Sequence, residues 1–123
     1  MYMKKGKKMY AQPNKGKIIK KKFMTTNNLT WLAQWYAEQC NGDWEHSYGI
    51  KIETLDNPGW SVTIDFEGTS HSQIKNKAWQ FVEVDDTNWH GYKIEDGKFE
   101  GSGDPYKLDF LINLFKEIVT QQS

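Results

Sequence analysis

The sequence predicts an α+β fold, an antiparallel sheet of four to five strands flanked by an N-terminal and a C-terminal helix. Three observations carry that expectation. Apolar residues recur at a spacing of three and four over residues 29–40 and again over 108–119, as in helices with one buried face. Between those stretches they alternate every second residue, as in strands buried on one side. Clusters of Asp, Asn, Pro and Gly separate the alternating runs, the usual way that short antiparallel strands are joined. Helices at both ends of such a run are expected to stack together on one face of the sheet.

The first helix is expected in "NNLTWLAQWYAEQCNG", residues 27–42. Asn28 or Asn27 can accept a free first-turn amide as the N-cap. Leu29, Leu32, Ala33, Tyr36 and Cys40 form the apolar stripe, with Trp31 and Trp35 on its flank. Gly42, just past the stripe, is a stop. Residues 48–66, "YGIKIETLDNPGWSVTIDF", read as a hairpin. Tyr48, Ile50 and Ile52 alternate with Lys51 and Glu53. Trp60, Val62, Ile64 and Phe66 alternate with Ser61, Thr63 and Asp65, and Asp56-Asn57-Pro58-Gly59 makes the turn. Residues 67–77 read as a polar loop. "AWQFVEV", 78–84, is a third strand with Trp79 and Phe81 on one face, and "WHGYKIE", 89–95, a fourth with Tyr92 and Ile94 inward. Asp96-Gly97 is a tight-turn pair, after which "KFEG", 98–101, returns as a short fifth strand. The last helix is expected over residues 103–122. Asp104 is its N-cap, Pro105 its first residue, and Leu108, Leu111, Ile112, Phe115, Ile118 and Val119 its buried stripe.

A length of 123 residues suits one domain with one core. Six Trp, six Tyr and six Phe argue for a folded chain. The single cysteine excludes an internal disulfide and fits a reducing compartment. The net charge of zero joins two opposites. Residues 1–37 hold nine lysines and no acid, whereas residues 38–123 hold seven lysines and all sixteen acids, a net charge of −9. An acidic body repels phosphate backbones and attracts cationic proteins. Arginine, the side chain best suited to phosphate and base recognition, is absent, so no nucleic acid is expected to bind the body. Residues 1–23 are a lysine-rich leader, read as a disordered basic tail or as sequence outside the native domain in preference to a nucleic-acid or membrane-surface arm, with Met24 as an alternative start. Residues 24–123 form the single folded domain. Only Ile18-Ile19 interrupts the leader's lysines, too little for a secretory signal. No stretch approaches the roughly 20 apolar residues of a membrane span, and no membrane partner is expected.

"CNGDWEH", residues 40–46, crowds two acids, a tryptophan and a histidine together. Cys40 and His46 make a poor nucleophile and base, because Cys40 sits at a helix C-terminus among Glu38, Asp43 and Glu45, whose fields raise a thiol pKa. Asp43, Glu45, His46, His71 and His90 lack the spacing of helical His-x-x-x-His or Cys-x-x-Cys metal sites, and no metal or other cofactor is expected. The carboxylate pairs Asp43/Glu45 and Asp65/Glu67 look like ordinary solvated faces. The Gly-x-Gly at 101–103 lacks the third glycine and the lysine of phosphate-binding loops. Protein binding fits better, since aromatic anchors ringed by charge are what interface hot spots look like. Asp43, Trp44, Glu45 and His46 match that description, and so do Asp56, Trp60, Asp85, Asp86 and Trp89. Trp60 is expected to face inward, and Trp44 and Trp89 to be half exposed. The chain is not expected to be an enzyme. The alternative is a small enzyme using the Asp43/Glu45/His46 cluster as acid/base groups or metal ligands.

The run "WLAQWYAEQCNGDWEH-YGI-IETLDNPGWSVTID" resembles the bacterial immunity protein 53 family, associated with polymorphic toxin systems. The likeness takes in Trp31, Leu32, Trp35, Tyr36, Gln39 and Cys40, then Gly42, Asp43, Trp44, Glu45, His46, Tyr48 and Gly49. It continues over Thr54, Leu55, Asp56, Asn57, Pro58, Gly59, Trp60, Ile64 and Asp65, and "DGKFEGSGDP" at 96–105 is similar to the family's pattern before its last helix. It covers about residues 28–119, is most specific from Gln39 to Trp60, and leaves out the leader. The resemblance implies an immunity-type domain, a cytoplasmic antidote that binds a cognate toxin and neutralises it. Occlusion through an acidic, aromatic-anchored surface is the expected means, and the charge of the body favours a basic toxin.

Overall fold

The computed structural model describes residues 27–121, and the lysine-rich leader lies outside the described residues. The order is α1 (Asn28–Gln39), β1 (Ile50–Leu55), β2 (Gly59–Asp65), β3 (Lys77–Asp85), β4 (Asn88–Glu95), β5 (Lys98–Gly103) and α2 (Leu108–Thr120). One turn of 3-10 helix, Trp44–His46, links α1 to β1. The fold class is the expected α+β, two helices with a five-stranded antiparallel sheet. The strands stand in the order β1-β2-β5-β4-β3. The chain makes the β1–β2 hairpin at one edge and crosses to the far edge with Ile74 buried on the way. It then lays β3, β4 and β5 inward, so the short return strand becomes the centre of the sheet. Asp96 and Gly97, at the β4–β5 turn, have φ of 54° and 77°, the paired positive values that a two-residue hairpin loop requires.

Strand alternation separates two faces. Val62, Ile64 and Trp60 of β2 lie opposite Gly101, Phe99 and Gly103 of β5, and Tyr92 and Ile94 of β4 meet the same strand from the other side. Both helices cover this face. Leu32 and Trp35 of α1 join Leu111, Ile112, Phe115 and Val119 of α2 in one buried cluster with Val62, Ile64, Phe66, Ile94 and Phe99. Phe115 is its hub, its ring centroid 4.9 Å from Trp35, 5.6 Å from Phe99 and 6.0 Å from Trp31, within the range of favourable aromatic pairs. The opposite face, formed by Lys51, Thr63, Lys98, Glu100, Lys93 and their neighbours, has no layer over it among the described residues.

Helix α1 turns a different side inward from the expected one. Asn27 caps it, its side-chain oxygen accepting from the Thr30 N–H at 2.8 Å. Trp35 and Leu32 are buried and Trp31 packs against the core, while Leu29, Ala33 and Tyr36 stay exposed. Area accounts for the rotation. An indole buries roughly 150–250 Å², so turning the Trp31–Trp35 flank inward removes more apolar surface from water than Leu29 and Ala33 offer.

Helix α2 keeps its expected stripe but not its expected start. It begins at Leu108, with Lys107 at the cap and no side-chain cap bond. Asp104 is fully buried instead. Its carboxylate accepts from the Trp89 and Tyr106 N–H groups, each at 2.9 Å, and pairs with the Lys107 ammonium at 2.6 Å. These partners pin the chain between β5 and α2 to the start of β4. Burial pushes the Asp104 carboxyl up, but Lys107 and the two amides outweigh it and hold the pKa down at about 2.

Candidate functional site

The 40–49 loop closes on its own polar groups. The Asn41 side-chain oxygen accepts from the N–H groups of Asp43 at 3.0 Å and Trp44 at 2.9 Å. The Glu45 carboxylate folds back onto the N–H groups of Asn41 at 2.9 Å and Gly42 at 2.8 Å. Backbone donors, its own N–H foremost and then those two, hold the Glu45 carboxyl below the ordinary glutamate value. With the backbone satisfied, the indole of Trp44 is free to turn inward, and it does. Trp44 is only 5 % exposed, a correction to the half-exposed position expected of it. Its N–H donates to the Glu67 carbonyl at 2.9 Å and its ring meets Trp35 edge-on at 6.1 Å. Asp43 and His46 remain exposed. Burial is the main influence raising the Cys40 thiol pKa, with Glu45 adding to it, and the sulfur donates to the Tyr36 carbonyl at 3.3 Å. Burial and the Glu45 charge oppose a thiolate and outweigh the Tyr36 side-chain hydrogen bond, which acts the other way.

The other five candidates lie at the opposite end of the sheet. Asp56 sits in the β1–β2 turn, and Asp85 and Asp86 at the β3–β4 turn, all exposed. Trp60 faces the core side as expected, half buried, and donates from its indole N–H to the Pro105 carbonyl at 2.9 Å. Trp89 is half exposed, also as expected. The seven residues of β2 separate the two ends; at about 3.3 Å per residue that is roughly 20 Å. The nine residues therefore form two groups, not one site. Asp85 shapes its turn, accepting from the Thr87 N–H at 2.8 Å and hydroxyl at 2.9 Å; these two bonds, the N–H first, lower its pKa.

A groove of about 450 Å³ opens at this end, lined by Asn57, Phe81, Glu83, Asp86 and Trp89. Phe81, Glu83 and Asn57, with Trp79 beside them, were not among the expected site residues. Trp79 and Phe81 share one face as the alternation predicts, but that face is the open one. They are 47 % and 50 % exposed, stacked at 6.3 Å and 18°. Phe81 in turn reaches Trp89 at 6.3 Å. Gly91 makes room for them: a Cβ there would stand 2.6 Å from the Trp79 ring and 3.0 Å from Phe81. The available signal was that "AWQFVEV" is apolar on both alternating faces, which fits an edge strand as well as a buried one. Lysines on the open face stand beside carboxylates, Lys93 3.0 Å from Glu95 and Lys98 3.8 Å from Asp65. A second groove, of about 410 Å³, lies between α1 and β1, lined by Leu29, Leu32, Ala33, Tyr36, Gly49 and Ile50, including the part of the expected stripe left outside.

The sequence model of the family described as Immunity protein 53 matches residues 29–120. The chain belongs to the immunity protein 53 family. The match spans both helices and all five strands, so the whole described fold is the family's domain. The family carries an immunity function, and with it the binding of a partner toxin. No curated protein and no solved structure gives a match. Among the described residues of this immunity protein 53 member, no three His, Cys, Asp or Glu side chains group as a metal site, and no helix is long and apolar enough to cross a membrane.

Proposed function

We propose that this chain neutralises its cognate toxin by occlusion, without catalysis, through the acidic, aromatic-anchored surface at the β1–β2 and β3–β4 turns. The observation that carries the reading is the groove lined by Trp89, Phe81, Glu83, Asp86 and Asn57. It couples half-exposed aromatic rings, the usual source of binding energy, to carboxylates that steer a cationic partner. The partner is accordingly a basic protein, met in the cytoplasm. Asp56, Asp85, Asp86 and Trp89 belong to this surface, with Trp60 as its support from the core side. Asp43, Glu45 and His46 flank the far end, where Trp44 locks α1 to the sheet. The catalytic alternative is less well supported there, because Glu45 is committed to two backbone amides.

Co-expression with the toxin encoded in the neighbouring reading frame tests the proposal. Growth should be rescued and a stable complex should co-purify. Failure of both, with the chain folded and abundant, removes the immunity reading of this surface.

A further inference from the structure

Strand β3 is an edge strand open on both faces. All nine of its residues are exposed, because it pairs only with β4 and the helices centre on β2 and β5. A sheet edge presents a row of unpaired N–H and C=O groups, a ready template for another strand. The other edge, β1, is guarded by Lys51 and Glu53, ion-paired at 3.7 Å on its open face. β3 carries no charge from Ala78 to Val82. Trp79 and Phe81 stack there on the open face, and Glu83, Asp85 and Asp86 follow toward the turn. One strand thus offers an apolar half, then an acidic half, beside a backbone edge whose regular stretch is Gln80 to Glu83, between two register shifts; outside that stretch the Ala78 carbonyl accepts from the Gln80 side chain at 2.8 Å.

We infer that an extended segment of the toxin adds to β3 as a sixth strand. Its apolar side chains lie over Trp79 and Phe81, and its lysine or arginine side chains meet Glu83, Asp85 and Asp86. This rests on the toxin-binding reading above and specifies the segment that the surface takes. Main-chain pairing supplies affinity in such strand addition, and alternate side chains supply specificity. Charge selects this occupant over two others. A second copy would bring a like-charged body, since residues 38–123 carry a net charge of −9. A nucleic-acid strand could stack on the rings, but its phosphates would face Glu83, Asp85 and Asp86, while Lys93 and Lys98 already lie beside carboxylates.

The test titrates the isolated toxin domain from the neighbouring reading frame into the full chain, read by calorimetry and amide hydrogen exchange. Amides of β3 should gain protection while those of β1 do not. Trp79→Ser and Phe81→Ser should each weaken binding at least about tenfold, as hot-spot residues do, while Phe81→Tyr keeps most of the affinity. Circular dichroism and melting of each variant show that the fold survives, as expected for half-exposed rings. A toxin that binds with β3 exchange unchanged and both serine variants at wild-type affinity overturns the strand-addition inference and leaves occlusion standing. A toxin domain that does not bind the wild-type chain at all overturns both. A dimer in sedimentation that the serine variants abolish, or a single-stranded oligonucleotide that binds the wild type and protects β3, assigns the strand to a different occupant and overturns the inference.

Discussion

Trp44 and Trp89 look alike in the sequence, each an indole among acids, yet one is core and the other surface. The difference lies in what the surrounding backbone does with its polar groups. Around Trp44, Asn41 and Glu45 satisfy four amides within the loop, so the ring can be buried without stranding a donor. No sequence pattern declares that closure, because it depends on side chains folding back over two to four positions. Trp44→Ala should therefore cost about 3–5 kcal/mol in urea unfolding, and Trp44→Phe about 1 kcal/mol for the lost bond to Glu67. The sequence reads Asp104 as the N-cap of the last helix, not as the buried partner of Trp89, Tyr106 and Lys107, because its bond to Trp89 is a long-range fact. Asp104→Asn should destabilise the fold by about 3 kcal/mol at neutral pH. The sign with pH follows from a folded pKa of about 2 below an unfolded value of about 3.9. The carboxylate's contribution is full above about pH 4 and is lost as pH falls toward 2. The gap in urea midpoint between wild type and Asp104→Asn should narrow over that window; a constant gap would remove Asp104 from the acid limb.

At the scale of the element, periodicity revealed both α-helices and the strands before the Asp96-Gly97 turn, because burial on one side imposes it; the turn pair pointed to the fifth strand, and the 3-10 turn Trp44–His46 has no such signal. Periodicity failed where two sides of an element compete. In α1 the stripe of Leu29, Leu32, Ala33 and Tyr36 and the flank of Trp31 and Trp35 overlap at Leu32, and only the packing of Phe115 against the indoles resolves the choice. Leu29→Gln should change stability by no more than about 0.5 kcal/mol, whereas Leu32→Ala should cost about 2–5 kcal/mol; thermal or urea unfolding of the pair checks the rotated face. In β3 both faces are apolar, and the exposed edge position follows from strand order rather than from composition. Gly91→Val should displace Trp79 and Phe81 from above β4. A changed tryptophan emission spectrum together with weakened toxin binding is expected. An unchanged affinity with the rings displaced would detach the platform from recognition.

For the whole molecule, the sequence carried the fold class through its elements, and the family through the run from Gln39 to Trp60. It did not carry strand order, since β5 enters between β2 and β4 only after β3 and β4 are laid down, and local turn signals are blind to that insertion. Strand order is also what places the two acidic aromatic groups at opposite ends of the sheet and leaves Trp79, Phe81 and Glu83 beside Trp89. The central claim is that the β3–β4 end, not the 43–46 loop, meets the toxin. Stopped-flow association of the toxin domain with charge-reversed chains tests it most directly. Glu83→Lys with Asp86→Lys should slow association by about tenfold at low salt and flatten its salt dependence, as steering by nearby carboxylates requires, while Asp43→Lys should leave the rate constant unchanged. A rate that falls with Asp43→Lys and holds with the Glu83 and Asp86 reversals would contradict the account and move the interface to the other end of the sheet.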